Sequence, residues 1–378
     1  MTGEPGDLPS MPGSGSDRPA AAARACRSAP WLLQTPTRVI SGLGALLMLV
    51  GCGQPSGPIF PEVNPPIVWP RAPDQPRIRY VGELRGESSL GIRPRGWDAV
   101  RAALAGPPAR LDFSRPSAVA VAGDRVFVAD TGLGVVHRLD LANRQYSTLR
   151  GPPDDALRVP ISLTLAGDRL LVADRARSSV EVFDLDGTWR TTKRWPEVTA
   201  PVAVAWDAAR RTLWLADAAA HACFATEDLE TLSRQLGEGG AEPGRFNFPT
   251  ALACRPEVGL VVADAMNFRV QVFDQTGTLT KVFGHKGDAA GDFSLPRGVA
   301  LDSEGHIYVL DNRFENVQIF DREGQLLLAF GEEGDKPGQF AMPSGITIDD
   351  RDRIWVADSY NRRVQVFQYL PEKTLCTE

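Results

Sequence analysis

One pattern, repeated six times, limits what this chain can fold into. Residues 295–321, LPRGVALDSEGHIYVLDNRFENVQIFD, read as three short strands separated by tight turns, opened by Pro296 and marked midway by Asp311. The same pattern places prolines at Pro116, Pro160, Pro201, Pro249, Pro296 and Pro343, spaced 44, 41, 48, 47 and 47 residues apart. Its aspartates are Asp130, Asp174, Asp217, Asp264, Asp311 and Asp358, each 14 to 16 residues after its proline. A period of this length with four strands of alternation per unit is the signature of a propeller blade. The expected fold is therefore all-β: a six-bladed propeller of four-stranded blades.

Both ends of the repeat region support ring closure. Residues 77–84, RIRYVGEL, read as a strand equivalent to the last strand of a blade, while the sixth unit runs out of chain after its third strand near residue 370. An N-terminal strand that completes the C-terminal blade ties the ring shut and removes its open edges. Within each unit, the second residue after the proline is small (Ala118, Ser162, Ala203, Ala251, Gly298, Gly345). Inner strands converge on the axis, so one face must stay small. Segment 85–112 has no counterpart in the other units, and residues 97–104 suggest two turns of helix.

Glycines at 237, 240 and 244, at 284, 287 and 291, and at 331, 334 and 338 deliver Phe246, Phe293 and Phe340, each three residues before the next proline. No Lys-Ser/Thr follows and no helix begins there, so these loops read as seam plugs between blades, not phosphate cradles.

Upstream of the ring, residues 1–51 read as a signal segment. Four arginines in residues 1–38 precede an apolar run, 39–52, too short to span a bilayer and of signal-core length. The run ends in Leu49-Val50-Gly51-Cys52, which resembles a bacterial lipobox. The resemblance implies cleavage before Cys52, diacylation of that cysteine, and an outer-membrane, periplasmic or surface-facing location. The stretch before the apolar core is long for such a signal, and a translation start nearer Arg38 is expected. Residues 52–76, with eight prolines after Cys52, read as an extended tether without strand pattern, and residues 371–378 as a tail.

Composition excludes some roles. With 43% hydrophobic and 23% charged residues the 378-residue chain is ordinary globular protein, and its net charge of −6 argues against a generic nucleic-acid binder. The residues just after the six prolines, Ser117, Ile161, Val202, Thr250, Arg297 and Ser344, include no carboxylate or histidine for a central metal cage. Four scattered histidines and no CxxC or CxxCH leave no catalytic, metal or cofactor site to assign. Cys223 and Cys254 lie in consecutive blades, as a disulfide or as buried thiols.

The best candidate surface is the loop after each repeat aspartate. It carries Arg175, Arg177, Phe268, Arg269, Arg313, Phe314, Tyr360 and Arg362, and Arg297 should emerge on the same face. Arginine interleaved with aromatics is the composition of a protein-binding patch. The equivalent loops of units one and three, Thr-Gly-Leu-Gly and Ala-Ala-Ala-His, contribute little.

The segments VVADAMNFRVQVFD (261–274) and WVADSYNRRVQVF (355–367), with their Gly/Phe/Pro lead-in, resemble NHL repeats. The resemblance covers about residues 113–370 and is weakest in unit three, where the Asn and Arg positions are lost. It implies a monomeric six-bladed propeller acting as an interaction scaffold. Lipoproteins of this appearance imply a protein partner such as a multihaem cytochrome or a secretion component, with the membrane reached by the lipid anchor only. Competing expectations are a metal-dependent, lactonase-like hydrolase or lyase and a cell-wall or polysaccharide-binding module.

Overall fold

A computed structural model of the protein describes residues 57–92, 96–106 and 109–371. The signal segment, Cys52 and the last residues of the chain lie outside the described residues.

Six antiparallel sheets form the ring. Blade one comprises Pro116–Ala122, Arg125–Asp130, Val135–Asp140 and Gln145–Leu149. Blades two to five repeat this plan over residues 160–193, 201–236, 249–283 and 296–330. In blade six the inner strand starts at Gly345, two residues after Pro343, and Arg353–Asp358 and Arg363–Tyr369 follow. Innermost strands contact their neighbours in sequence, and the inner strand of blade six meets that of blade one. The circle is closed.

Closure follows the expected route. Ile78–Leu84 pairs antiparallel with Arg363–Tyr369, from Ile78 opposite Tyr369 to Leu84 opposite Val364. The tether expectation needs correction, because Val68–Trp69 adds a fifth strand outside Ile78–Leu84. Phe60 meets Trp355 edge-on, and Trp69 packs against Phe330 and Phe367. Aromatic and aliphatic residues among the prolines, including Ile67 and Val63, cover the otherwise open edge of the last blade. Proline density suggested an extended spacer; the apolar residues between the prolines decided where it lies.

Hydrophobic packing runs between blades rather than around one centre. Each core cluster takes residues from two adjacent blades, as where Phe246 joins Ala216 and Cys223 of blade three to Leu260 and Phe273 of blade four. The plug position is occupied in every blade: Phe113, Leu157, Val198, Phe246, Phe293 and Phe340 are all buried three residues before the proline or its equivalent. Gly284 adopts φ +84° directly beneath the Phe293 ring, where any Cβ would overlap it. The glycine spacing thus follows from the plug, which needs backbone passing under an aromatic ring. Cys223 and Cys254 are both free thiols. Burial raises both, Cys254 to about 12, so neither is a reactive thiolate at neutral pH.

Candidate functional site

The site begins with the proline–aspartate pair. In blades one to five the proline sits directly opposite the aspartate, as Pro116 faces Asp130 and Pro296 faces Asp311, with the register shifting just beyond. Proline lacks an N–H and is tolerated at the first position of a strand. The aspartate then organises the loops at this end of the blade. Asp311 accepts hydrogen bonds from the backbone N–H groups of Ser294 and Leu295 before the proline and of Arg313 and Phe314 after itself. Asp130, Asp174 and Asp217 each hold two loops through four amides in the same way. These buried carboxylates shape the turns and are not available as catalysts.

Blades four and six replace some of those amides with side chains. Arg269 Nε donates to Asp264 Oδ2 at 2.8 Å, and its other nitrogens donate to the carbonyls of Ala241, Glu242 and Arg245. Asn267 and Gln271 complete the cluster. Arg363, Asn361 and Gln365 do the same around Asp358. Arg269 therefore belongs to the framework and not to the binding face on which the sequence placed it. Arg177 is corrected for the same reason: its side chain is 2% exposed and ion-pairs with Glu181 and Asp155, both at 2.6 Å.

The aromatic expectations divide. Tyr360 stands 64% exposed. Phe268 is half-buried at φ +54°, packed against the core between blades four and five, with Lys286 Nζ 5.3 Å from its ring centre. Phe314 is also half-buried, whereas Arg175, Arg313 and Arg362 are exposed.

Four residues escaped the sequence reading. Leu133, Met266 and Met342 are exposed apolar side chains on loops at this same end, and Arg115 stands exposed just before Pro116. Leu133 comes from a loop that looked featureless, and Met342 from the connection before Pro343 rather than from a post-aspartate loop. The N–H of Tyr360 to the carbonyl of Ala341 and that of Met266 to Asn247 stitch the two kinds of loop together. One face thus carries Leu133, Met266, Met342 and Tyr360 among Arg115, Arg313 and Arg362.

A cavity of about 440 Å³ runs down the axis inside the inner strands, lined at its first turn by all six post-proline residues. At that level hydroxyls join the blades: Ser117 Oγ donates to the carbonyl of Pro160 at 3.0 Å, and Thr250 Oγ1 to that of Pro296 at 2.9 Å. Arg297 occupies the same position in blade five but turns into the axial cavity, which Arg175 also lines. Among the described residues no group of three or more His, Cys, Asp or Glu is arranged to hold a metal ion. The four histidines are apart, His137 on Asp130 and Tyr146, His221 on the N–H of Phe248, His285 on Asp292 and His306 on Asp302.

A second apolar surface belongs to the segment that precedes blade one. The segment between closure strand and blade one forms a helix, Trp97–Ala105, one residue longer than expected, on which Trp97 and Leu104 are 86% and 85% exposed.

Comparison with known proteins places this architecture. The NHL repeat family model matches residues 293–320 and 340–367, in blades five and six. A search of curated proteins finds no match. Among solved structures the chain is similar to virginiamycin B lyase from Staphylococcus aureus, at 14% identity and TM-score 0.52 over 68% of this chain and 96% of that one. It is also similar to an auxiliary nutrient binding protein from Bacteroides thetaiotaomicron (13% identity, TM-score 0.55, 68% and 69% covered). Hydrazine synthase of Kuenenia stuttgartiensis is a third, at 12% identity and TM-score 0.50 over 71% and 99%. At these identities the likeness is one of fold.

Proposed function

We propose that this chain, a six-bladed propeller carrying NHL repeats, is a lipid-anchored scaffold of the cell envelope that binds a protein partner through the loop face just described. The observation that carries this reading is the composition of that face. Leu133, Met266, Met342 and Tyr360 leave apolar surface in water on the same side as Arg115, Arg313 and Arg362. Tyrosine, methionine and arginine are the residues enriched where proteins dock, and arginine and tyrosine dominate hot spots. Cations on an otherwise acidic chain favour a partner with acidic residues around an apolar patch. A redox protein or secretion component of the envelope is the partner class we favour. Anchoring by diacylated Cys52 supplies the location.

The test is capture from detergent-solubilised membranes of the source cell, using full-length protein beside a variant with Leu133, Met266, Arg313 and Tyr360 changed to Ser. A partner held in stoichiometric amount by the native protein and lost by the variant supports the reading. A partner held equally by both sinks it. Cys52→Ser tests the anchor separately and should release the protein from the membrane fraction.

A further inference from the structure

The mouth of the axial cavity holds two guanidinium groups that no described residue neutralises. Arg175 follows Asp174 in blade two, and Arg297 follows Pro296 in blade five. In a ring of six these blades stand opposite one another, so the side chains approach the same opening from two sides. Neither makes a side-chain hydrogen bond or ion pair with any described residue. Among the described residues the only carboxylate lining the cavity, Asp207, ends the inner strand of blade three, at the far end from the post-proline mouth. The nearby Asp174 is fully buried and accepts four backbone hydrogen bonds.

This arrangement runs against folding stability. Burial, and after it the charge of Arg175, hold Arg297 below the ordinary arginine range. The buried arginines of this protein are compensated, whereas half-buried Arg297 is not: Arg177, Arg269 and Arg363 all have carboxylate partners. Alternatives to arginine at position 297 are visible in the same ring, because Ser117 and Thr250 fill the equivalent place with a hydrogen bond to the next blade.

We propose that Arg175 and Arg297 form an oxyanion-binding site, taking the carboxylate or phosphate group of a small ligand that enters the axial cavity. Planar guanidinium groups match both anions through paired N–H donors. The cavity volume of about 440 Å³ lies within the range of small-molecule sites. The inner-strand edges and hydroxyls of Ser162, Thr164 and Thr347 give its walls polar character suited to a compact hydrophilic ligand. The site opens at the same end of the ring as the apolar loop rim but uses none of its apolar residues and does not depend on a protein docking there.

The experiment measures melting temperature and calorimetric binding of the full chain with inorganic phosphate, with citrate, and with glycerol as neutral control. Native protein is compared with Arg175→Gln, Arg297→Gln and the double variant at low and high sodium chloride. The site predicts salt-sensitive binding of phosphate, citrate or both, weakened about tenfold by either single change and lost in the double variant. A response to phosphate alone assigns a phosphate ligand, and a response to citrate alone a carboxylate. Phosphate raises melting temperatures non-specifically, so an equal rise in the double variant counts against the site. Absence of binding by either anion also overturns it. Arg175 is exposed, so Arg175→Gln keeps the test valid even if Arg297→Gln folds poorly.

Discussion

Arg363 Nη1 donates to Glu83 Oε2 at 2.9 Å, an ion pair between the two strands whose meeting closes the ring. The same guanidinium bonds Asp358 through Nε and the carbonyls of Asp335, Lys336 and Gln339 through Nη1 and Nη2. With the Arg363 side chain 1% exposed and Asp358 fully buried, this one residue joins the closure strand Ile78–Leu84, the last blade and the glycine-rich connection.

Arg363→Ala should therefore lower the unfolding free energy by about 3–5 kcal/mol, since it strands a buried carboxylate. Arg363→Lys should recover little, because a point ammonium cannot make the five bonds of the fork. Glu83→Gln, which keeps a hydrogen-bond acceptor at a half-buried position, should cost about 1 kcal/mol or less. Urea unfolding of the three variants checks this order, and equal losses for Arg363→Ala and Glu83→Gln would contradict it.

The docked proline-rich segment makes a second claim. Trp69 contacts the Phe330 and Phe367 rings, and its indole packs against Gly338. Trp69→Ala should destabilise the ring by about 1–3 kcal/mol, below the range for a fully buried tryptophan because Trp69 is half-buried. A free tether would give no change in thermal unfolding.

On the loop face, replacing Leu133, Met266, Arg313 and Tyr360 together should leave stability within about 1 kcal/mol of native, since all four are exposed. Partner capture should be lost. A large fall in melting temperature would mean that the face holds the fold together and is not a docking surface.

His306 provides a pH-dependent prediction. Its hydrogen bond to Asp302 Oδ2, at 2.8 Å, holds the imidazole above the ordinary histidine range. Burial opposes ionisation of Asp302, but the hydrogen bonds from His306 and Tyr308 and the charge of His306 together outweigh it and keep that carboxyl below its usual range. Glu304, Asp321 and the Tyr369 ring also face the imidazole. The folded state thus binds the proton more tightly than the unfolded chain, whose histidine titrates near about 6.5. The stabilisation is complete below that pH and disappears as pH rises through the folded value. His306→Gln should reduce melting temperature more at pH 5.5 than at pH 8.5; the opposite order would refute the assignment.

Blade number, strand order within a blade, ring closure by the N-terminal strand and the plug residues were all readable in the sequence. Each is a local, periodic demand: a proline where no amide is needed, a small residue near the axis, a glycine under a ring. The family match in blades five and six follows from the same regularity. What periodicity could not say was which way an individual side chain turns. Arg313 lies in the loop after its aspartate and Arg269 opens the strand that follows the equivalent loop, yet one is exposed and the other buried among carbonyls. Phe268, at φ +54°, folds back into the seam while Tyr360 points to solvent. The apolar rim around Leu133 and Met342 assembles from loops of different blades and different kinds. Likewise, Arg175 and Arg297 are 122 positions apart in the chain and meet only because blades two and five face each other across the axis. Repetition along the chain determined the ring; the surface and the axial site exist only where the closed ring brings non-repeating residues together.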